Sequence, residues 1–137
     1  MTGRILGLVG LFIIVGAISA SAGEVAQGRA AYLQYCASCH GLDGGGNGPM
    51  ARILTTPPAN LRQLSERYGN PLPEKRIAQF IDGRAEVAAH GPRDMPVWGE
   101  RLSAEVAGNE HQTRALIAKL VAYLQSIQTG PQTASAD

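Results

Sequence analysis

The sequence of 137 residues predicts an all-α fold. Two segments, residues 24–35 and 110–128, carry apolar or small side chains at spacings of three and four, which places those side chains on one face of a helix. No stretch after residue 22 shows the alternation of β-branched and polar residues that is typical of a half-buried strand. Helices alone are therefore expected.

The first and last of these helices are predicted to meet. The face of the first helix is marked by Val25, Gly28, Tyr32, Cys36 and Cys39, and the face of the last by Leu116, Leu120, Tyr123, Leu124 and Ile127. The last helix is expected to stop at Gly130-Pro131. Because Gly28 has no side chain, another helix can approach closely there, with Tyr123 in the space. A glycine that the helix merely tolerates explains this position equally well.

Two shorter helices are predicted in the middle of the chain. Residues 61–69 begin with two leucines and end at a glycine. Residues 73–83 have a proline in the first turn and a glycine at the end, which is the usual asymmetry of helix termini. The buried stripe of this second helix is expected to consist of Ile77, Phe80 and Ile81.

Residues 1–22 are predicted to be a signal peptide. Arg4 precedes an unbroken apolar run over residues 5–18, and Ala20-Ser21-Ala22 supplies the small residues that a signal peptidase reads, so cleavage is expected after the second alanine. An uncleaved membrane anchor is the alternative, although the run is short for a bilayer. Either way, the protein is expected in the periplasm or another extracytoplasmic compartment.

The rest of the chain is predicted to form one domain over residues 23–131, followed by a polar tail at residues 132–137. With one Trp, two Phe and four Tyr, a core made of protein alone would be thin. Without Arg4, eleven basic and eleven acidic side chains remain, and they form no long run of one sign. This balance makes nucleic acid an unsuitable partner.

The motif Cys36-x-x-Cys39-His40 carries the clearest chemical signal. Two exported cysteines at this spacing can form a disulfide or the redox pair of a thioredoxin-like enzyme, but the adjoining histidine argues against both. Cys-x-x-Cys-His is the attachment signature of a c-type haem. On a helical turn, residues three apart share a face, so both sulfurs can reach the two vinyl groups along one porphyrin edge. His40 is then expected to bind the iron.

Other short motifs follow one another in a characteristic order: Gly28-x-x-x-Tyr32, Cys36-x-x-Cys39-His40-Gly41, Gly48-Pro49, Met95-Pro96 and Leu120-x-x-Tyr123-Leu124. In this order the chain resembles a small class I c-type cytochrome over nearly all of residues 23–131. The resemblance implies a cytochrome c-like fold of three to five helices around one covalently attached haem c and its iron, with the first and last helices crossing. It also implies that the Pro49 carbonyl accepts the Nδ1 proton of His40 and fixes the tautomer of that ring.

The second axial ligand of the iron has four candidates, which are Met50, His90, Met95 and His111. Met50 lies only ten residues after His40, and so short a segment is not expected to pass around the porphyrin to the other side of the iron. His111 begins the last helix, where a solvated histidine is expected. Met95 lies in a loop restricted by two prolines, and it matches the ligand position of the family. We therefore expect Met95, with His90 as the main alternative.

The two haem propionates also need partners. Candidate donors are Arg93, Trp98 and Tyr68, because residues near the methionine loop often serve this role in related cytochromes. A solvated arginine and a packed tryptophan explain the first two residues equally well.

These ligands predict electron transfer rather than catalysis. A His/Met pair favours Fe(II) and leaves no open position for a substrate, so we expect an exported monohaem carrier that exchanges single electrons with a redox donor and acceptor. It would act as a monomer or as the small cytochrome subunit of a dehydrogenase or oxidase complex, and it would touch a membrane only through that complex or an uncleaved N-terminus. The alternatives are a haem-based gas sensor or catalyst with a labile sixth ligand, and a redox-thiol protein without haem.

Overall fold

A computed structural model describes residues 14–85 and 95–130, with side chains from residue 22 onward. Within these ranges every regular element is helical and no strand occurs, so the predicted all-α class is confirmed. The α-helices are α1 (Ile14–Tyr35), α2 (Ala37–His40), α3 (Leu64–Tyr68), α4 (Glu74–Asp82), α5 (Trp98–Glu105) and α6 (Glu110–Ser126), and 3-10 turns occupy Pro49–Ile53 and Leu61–Gln63. Residues 1–13 of the predicted signal peptide and the tail at 132–137 lie outside the described residues.

Helices α1 and α6 form the main packed pair. A Cβ added at Gly28 would overlap the carbonyl of Lys119 and lie 3.0 Å from the Cβ of Tyr123, so the two backbones meet where the side chain is missing. The rings of Tyr123 and Tyr32 lie 5.1 Å apart, and Tyr32 is fully buried. The predicted close approach at Gly28, with Tyr123 beside it, is therefore confirmed.

Helix α1 is longer than the predicted 24–35, because it extends upstream to Ile14 and crosses the expected cleavage point after Ala22. This continuity does not test cleavage, which stays a prediction. Among the residues that the structure describes, no helix has both the length and the apolar character needed to span a bilayer.

The two predicted middle helices are present. Leu61–Gln63 and α3 together cover the first of them, which stops at Gly69 with a φ of +90°. Helix α4 follows Pro73 and ends at Gly83, whose left-handed φ of +73° lets its N–H bond the Gln79 carbonyl. The buried stripe of α4 is confirmed for Ile77 and Ile81, and Phe80 is half-buried beside them.

Helix α5 was not predicted from the sequence. It has eight residues with a glycine at the second position, which gives little intrinsic preference for a helix. Leu102 is fully buried and anchors α5 in the core, so tertiary packing rather than local propensity stabilises this helix.

Two glutamines hold the middle of the chain against the end of α6. Buried Gln128 accepts a hydrogen bond from the Ser65 N–H at 2.9 Å and donates one to the Leu61 carbonyl at 2.8 Å. Gln125 accepts a hydrogen bond from the Leu72 N–H at 2.6 Å. These bonds fix residues 61–72 beside α6, where they form one wall of the cavity described below.

Replacing Gly28 with alanine should destabilise the protein. The added methyl group would collide with the α6 backbone, and such overpacking costs about 1–3 kcal/mol, more than the gain in helix propensity. The free energy of unfolding, measured by chemical denaturation of the holoprotein, should fall by about this amount. Gly23→Ala is the control for a glycine-to-alanine change without a collision, because no atom lies within 4 Å of a Cβ added at Gly23. Equal stability of the two variants would contradict the close approach of α1 and α6.

Candidate functional site: a cavity beside the two-cysteine turn

Helix α2 places the three side chains of the motif on one turn. The N–H groups of Cys39 and His40 bond the Cys36 carbonyl at 3.2 and 2.9 Å, so the turn is closed by backbone hydrogen bonds alone. Gly41 then leaves the helix with a φ of +83°, which favours glycine. Both thiols are free and half-buried, and they line the same cavity as the imidazole.

Two adjoining cavities, of about 190 and 460 Å³, meet at this turn. Both cavities are lined by Cys36, His40, Ala59 and Met95. The smaller cavity is otherwise walled by mostly apolar side chains from α3, α4 and α6, among them Leu64, Ile77, Phe80, Ile81, Leu120 and Leu124. The larger cavity is completed by Cys39, Pro96, Trp98 and Arg101. The site is thus an apolar space with sulfur and nitrogen donors on its wall.

His40 is held in one orientation inside this space. It is 9% exposed, and its Nδ1 lies 2.9 Å from the Ala59 carbonyl. A carbonyl can only accept, so Nδ1 carries the proton in the neutral ring and Nε2 keeps the lone pair. Burial lowers the pKa of His40, and the bond to Ala59 opposes that change in part. The neutral ring with a free Nε2 is the form that binds iron.

The expected partner of His40 was Pro49, and the structure corrects this to Ala59. Gly48 packs directly on the α2 backbone, and its N–H bonds the Cys39 carbonyl at 3.1 Å. This contact directs Pro49 to an exposed position that lines a separate cavity, one to which His40 does not contribute. A hydrogen bond of 2.7 Å from the Leu61 N–H to the Gly44 carbonyl brings the segment that contains Ala59 to the imidazole instead.

The Cys36 thiol does not have the character of the nucleophile of a redox pair. Burial, with a smaller contribution from neighbouring Cys39, raises the pKa of Cys36 to about 12. Thioredoxin-like enzymes need a thiol whose pKa is lowered, because the thiolate is the nucleophile. This environment argues against the redox-thiol alternative.

Of the four candidates for the sixth ligand, Met95 is the one that the described structure brings to the site, since it lines both cavities with His40. Met50 is 41% exposed in the 3-10 turn, and His111 is exposed near the start of α6. His90 lies outside the described residues, as does Arg93 among the candidate propionate donors. Of the other two donors, Tyr68 lines the smaller cavity and Trp98 the larger.

Two further residues were missed from the sequence. Ala59 acts through its carbonyl, which no side-chain pattern reveals. Arg101 lines the larger cavity with its guanidinium carbon 5.8 Å from the centre of the Trp98 ring. Trp98 and Arg101 are three residues apart in α5 and so share one face of that helix. The sequence would have indicated this shared face only if α5 had been predicted. Arg101 brings a positive charge to the cavity.

The donors and the wall fit a c-type haem. Two thiols on one turn, a neutral imidazole with a free Nε2 and a thioether all line one apolar space. Thioether bonds, an axial histidine and an axial methionine are the protein groups that such a haem uses.

Comparison with known proteins agrees with this fit. The family model described as "Cytochrome C oxidase, cbb3-type, subunit III" matches residues 23–109, which is more than half of the chain. No curated protein and no solved structure matches significantly. The matched range contains α2, both cysteines and Met95, and it ends just before α6. The chain therefore belongs to this cytochrome c family, and the predicted resemblance to class I c-type cytochromes and the cytochrome c-like fold are confirmed.

Proposed function

We propose that this protein is a monohaem c-type cytochrome that carries single electrons. Family membership implies a covalently bound haem c with its iron, and a single pair of cysteines allows one attachment site. In this proposal Cys36 and Cys39 form the thioethers, and His40 and Met95 are the axial ligands. The observation that supports it best is that all four side chains line one continuous apolar site. The bound haem supplies one-electron exchange between Fe(III) and Fe(II).

The protein's own residues prepare the site for that exchange. Ala59 holds the proton of His40 on Nδ1, and this bond makes Nε2 a better donor. The apolar wall from α4 and α6 keeps water away, which lowers the reorganisation that accompanies a change of charge. Arg101 and Trp98 lie where they can meet haem propionates, and we propose the same role for Tyr68 and for Arg93.

The family description favours a more specific setting, in which the chain serves an oxidase complex as its cytochrome subunit. The balanced charge of residues 23–137, with eleven basic and eleven acidic side chains, suits this setting, because a partner that stays bound does not need strong electrostatic steering. We propose that the domain works outside the cytoplasm, that it is a monomer or a small subunit, and that its membrane contact comes through the complex or through an uncleaved N-terminus.

Replacing Met95 with alanine should remove the thioether from the iron. The ferric holoprotein should lose the weak absorption band at the red edge of the visible spectrum that marks Met–iron coordination, and the reduction potential should fall. Met50→Ala is the matched control, because this methionine is exposed, and it should keep the band. A band that survives in Met95→Ala would refute the assignment. A wild-type protein without the band would favour a sensor or catalyst with a labile sixth ligand.

The mass of the secreted protein should equal that of the chain from Gly23 onward plus one haem. The family match begins at this residue, which supports the proposed domain boundary. Intact-mass spectrometry of protein produced with cytochrome c maturation machinery makes the measurement, and the double variant Cys36→Ala/Cys39→Ala should lack the added mass. Retention of residues 1–22 would support the anchor instead, and an unmodified wild-type chain would contradict the haem proposal.

Membership in an oxidase complex predicts how the native protein migrates. After mild detergent extraction of membranes, haem-stained protein should comigrate on a native gel with oxygen-consuming activity, since a subunit stays bound. The chain is then identified in that band by mass spectrometry. If all of the chain migrates as a small free protein, it is a diffusing carrier and the complex proposal is wrong.

A further inference from the structure

Arg84 is the centre of an ion-pair cluster where three helices meet. Its Nε and Nη2 donate to the two carboxylate oxygens of Asp82, at the end of α4, at 2.8 and 2.7 Å. Its Nη1 and Nη2 donate to the two carboxylate oxygens of Glu110, at the start of α6, at 2.7 and 3.1 Å. The guanidinium group thus binds both carboxylates in a bidentate manner, the geometry that gives arginine pairs their directional specificity.

The third helix, α5, packs on this cluster through Gly99. This glycine is buried, and a Cβ added to it would lie 2.5 Å from both the Nε of Arg84 and the Oδ1 of Asp82. The backbone at the start of α5 therefore rests directly on the ion pair. The paired guanidinium and carboxylate thus form part of the surface on which α5 packs.

Met95 lies four residues before Gly99, and Trp98 lies between them at the first position of α5. Four residues span at most about 14 Å, so anchoring Gly99 limits where the Met95 side chain can be. Both Met95 and Trp98 line the larger cavity. The cluster and the cavity are thus connected through a short stretch of chain.

Partial exposure does not make this cluster negligible. The side chains of Arg84, Asp82 and Glu110 are 34, 24 and 50% exposed. An isolated pair of such exposure contributes little to the free energy of unfolding, but a bidentate arginine shared by two carboxylates is a network, in which the contribution becomes measurable. The hydrogen bonds from Arg84 lower the pKa of both carboxyl groups, so both are ionised at neutral pH and the geometry persists. The same hydrogen bonds hold Asp82 at the end of α4 and Glu110 at the start of α6 on one guanidinium group.

We propose that Arg84 is a positioning residue for the axial methionine: by holding the start of α5 against α4 and α6, it keeps Met95 at the cavity beside His40. This inference rests on the proposed function, in which Met95 binds the iron. Loosening the start of α5 would leave the haem and His40 in place and would raise the fraction of molecules in which the methionine is detached.

Imidazole measures that fraction, because it binds ferric iron only where Met95 has left. Its apparent affinity is proportional to the open fraction, so Arg84→Gln should lower the apparent Kd of imidazole for the ferric holoprotein by at least about tenfold. The titration is followed by absorption well below the unfolding temperature. Arg62→Gln is the matched control, because Arg62 forms a single, more exposed contact with Asp43 at 3.2 Å. The control should change the Kd by less than about twofold.

Two further variants keep the test decisive if Arg84→Gln folds poorly. Glu110→Gln removes the charge of one partner only, and Gly99→Ala pushes α5 away from the cluster; each should also lower the Kd of imidazole. A lowered melting temperature with an unchanged Kd in these variants would show a purely structural role and overturn the inference.

Met95→Ala separates this inference from the proposed function. If wild-type protein binds imidazole as tightly as Met95→Ala does, Met95 is not a ligand and the proposed function itself fails. If Met95→Ala binds imidazole much more tightly while the Arg84, Glu110 and Gly99 variants match wild type, only the positioning role of Arg84 is wrong.

Discussion

His40 has to meet two demands at once, since its ring must be enclosed by protein while one nitrogen stays free for the iron. The Ala59 carbonyl meets both demands by binding Nδ1 inside the core. That bond is available only because the chain between α2 and Ala59 turns back on itself, through Gly44, Gly48 and the hydrogen bond to Leu61. The rest of the site is built around an imidazole that is already oriented.

The helices contribute walls rather than chemistry. Helices α1 and α6 cross at Gly28, where the missing side chain allows close contact, and they form a fixed base beneath the two-cysteine turn. Helix α4 adds the apolar stripe of Ile77 and Ile81, and two glutamines, Gln125 in α6 and Gln128 just after it, bring residues 61–72 to the opposite edge. With so few aromatic residues, much of what these walls enclose is space, so a covalently attached haem completes the core.

The two proposed iron ligands differ in how the fold secures them. His40 lies within a helical turn that also carries both cysteines, so in the proposed function it would be tied to the haem by the shortest stretch of chain. Met95 comes from a separate segment and depends on the packing of α5 for its place. An electron carrier and a ligand-binding haem protein can share all other features of such a site. They differ in whether the methionine stays bound to the iron, so the position of Met95 would decide between them.

The sequence by itself predicted the all-α class, α4 to within one residue at each end, and a turn that carries two cysteines and a histidine. Each of these is local. The sequence allowed a close contact at Gly28 or a merely tolerated helix glycine, and only the packing of α1 on α6 decided between them. Tertiary structure decided the rest. Ala59 replaced Pro49 because the course of a glycine-rich loop, which no side-chain pattern encodes, selects the carbonyl that reaches the ring. Helix α5 consists of eight residues with a weak preference of their own for a helix, and it forms because Leu102 is buried and Gly99 packs on Arg84 and Asp82. Arg101 reaches the cavity only because this helix forms.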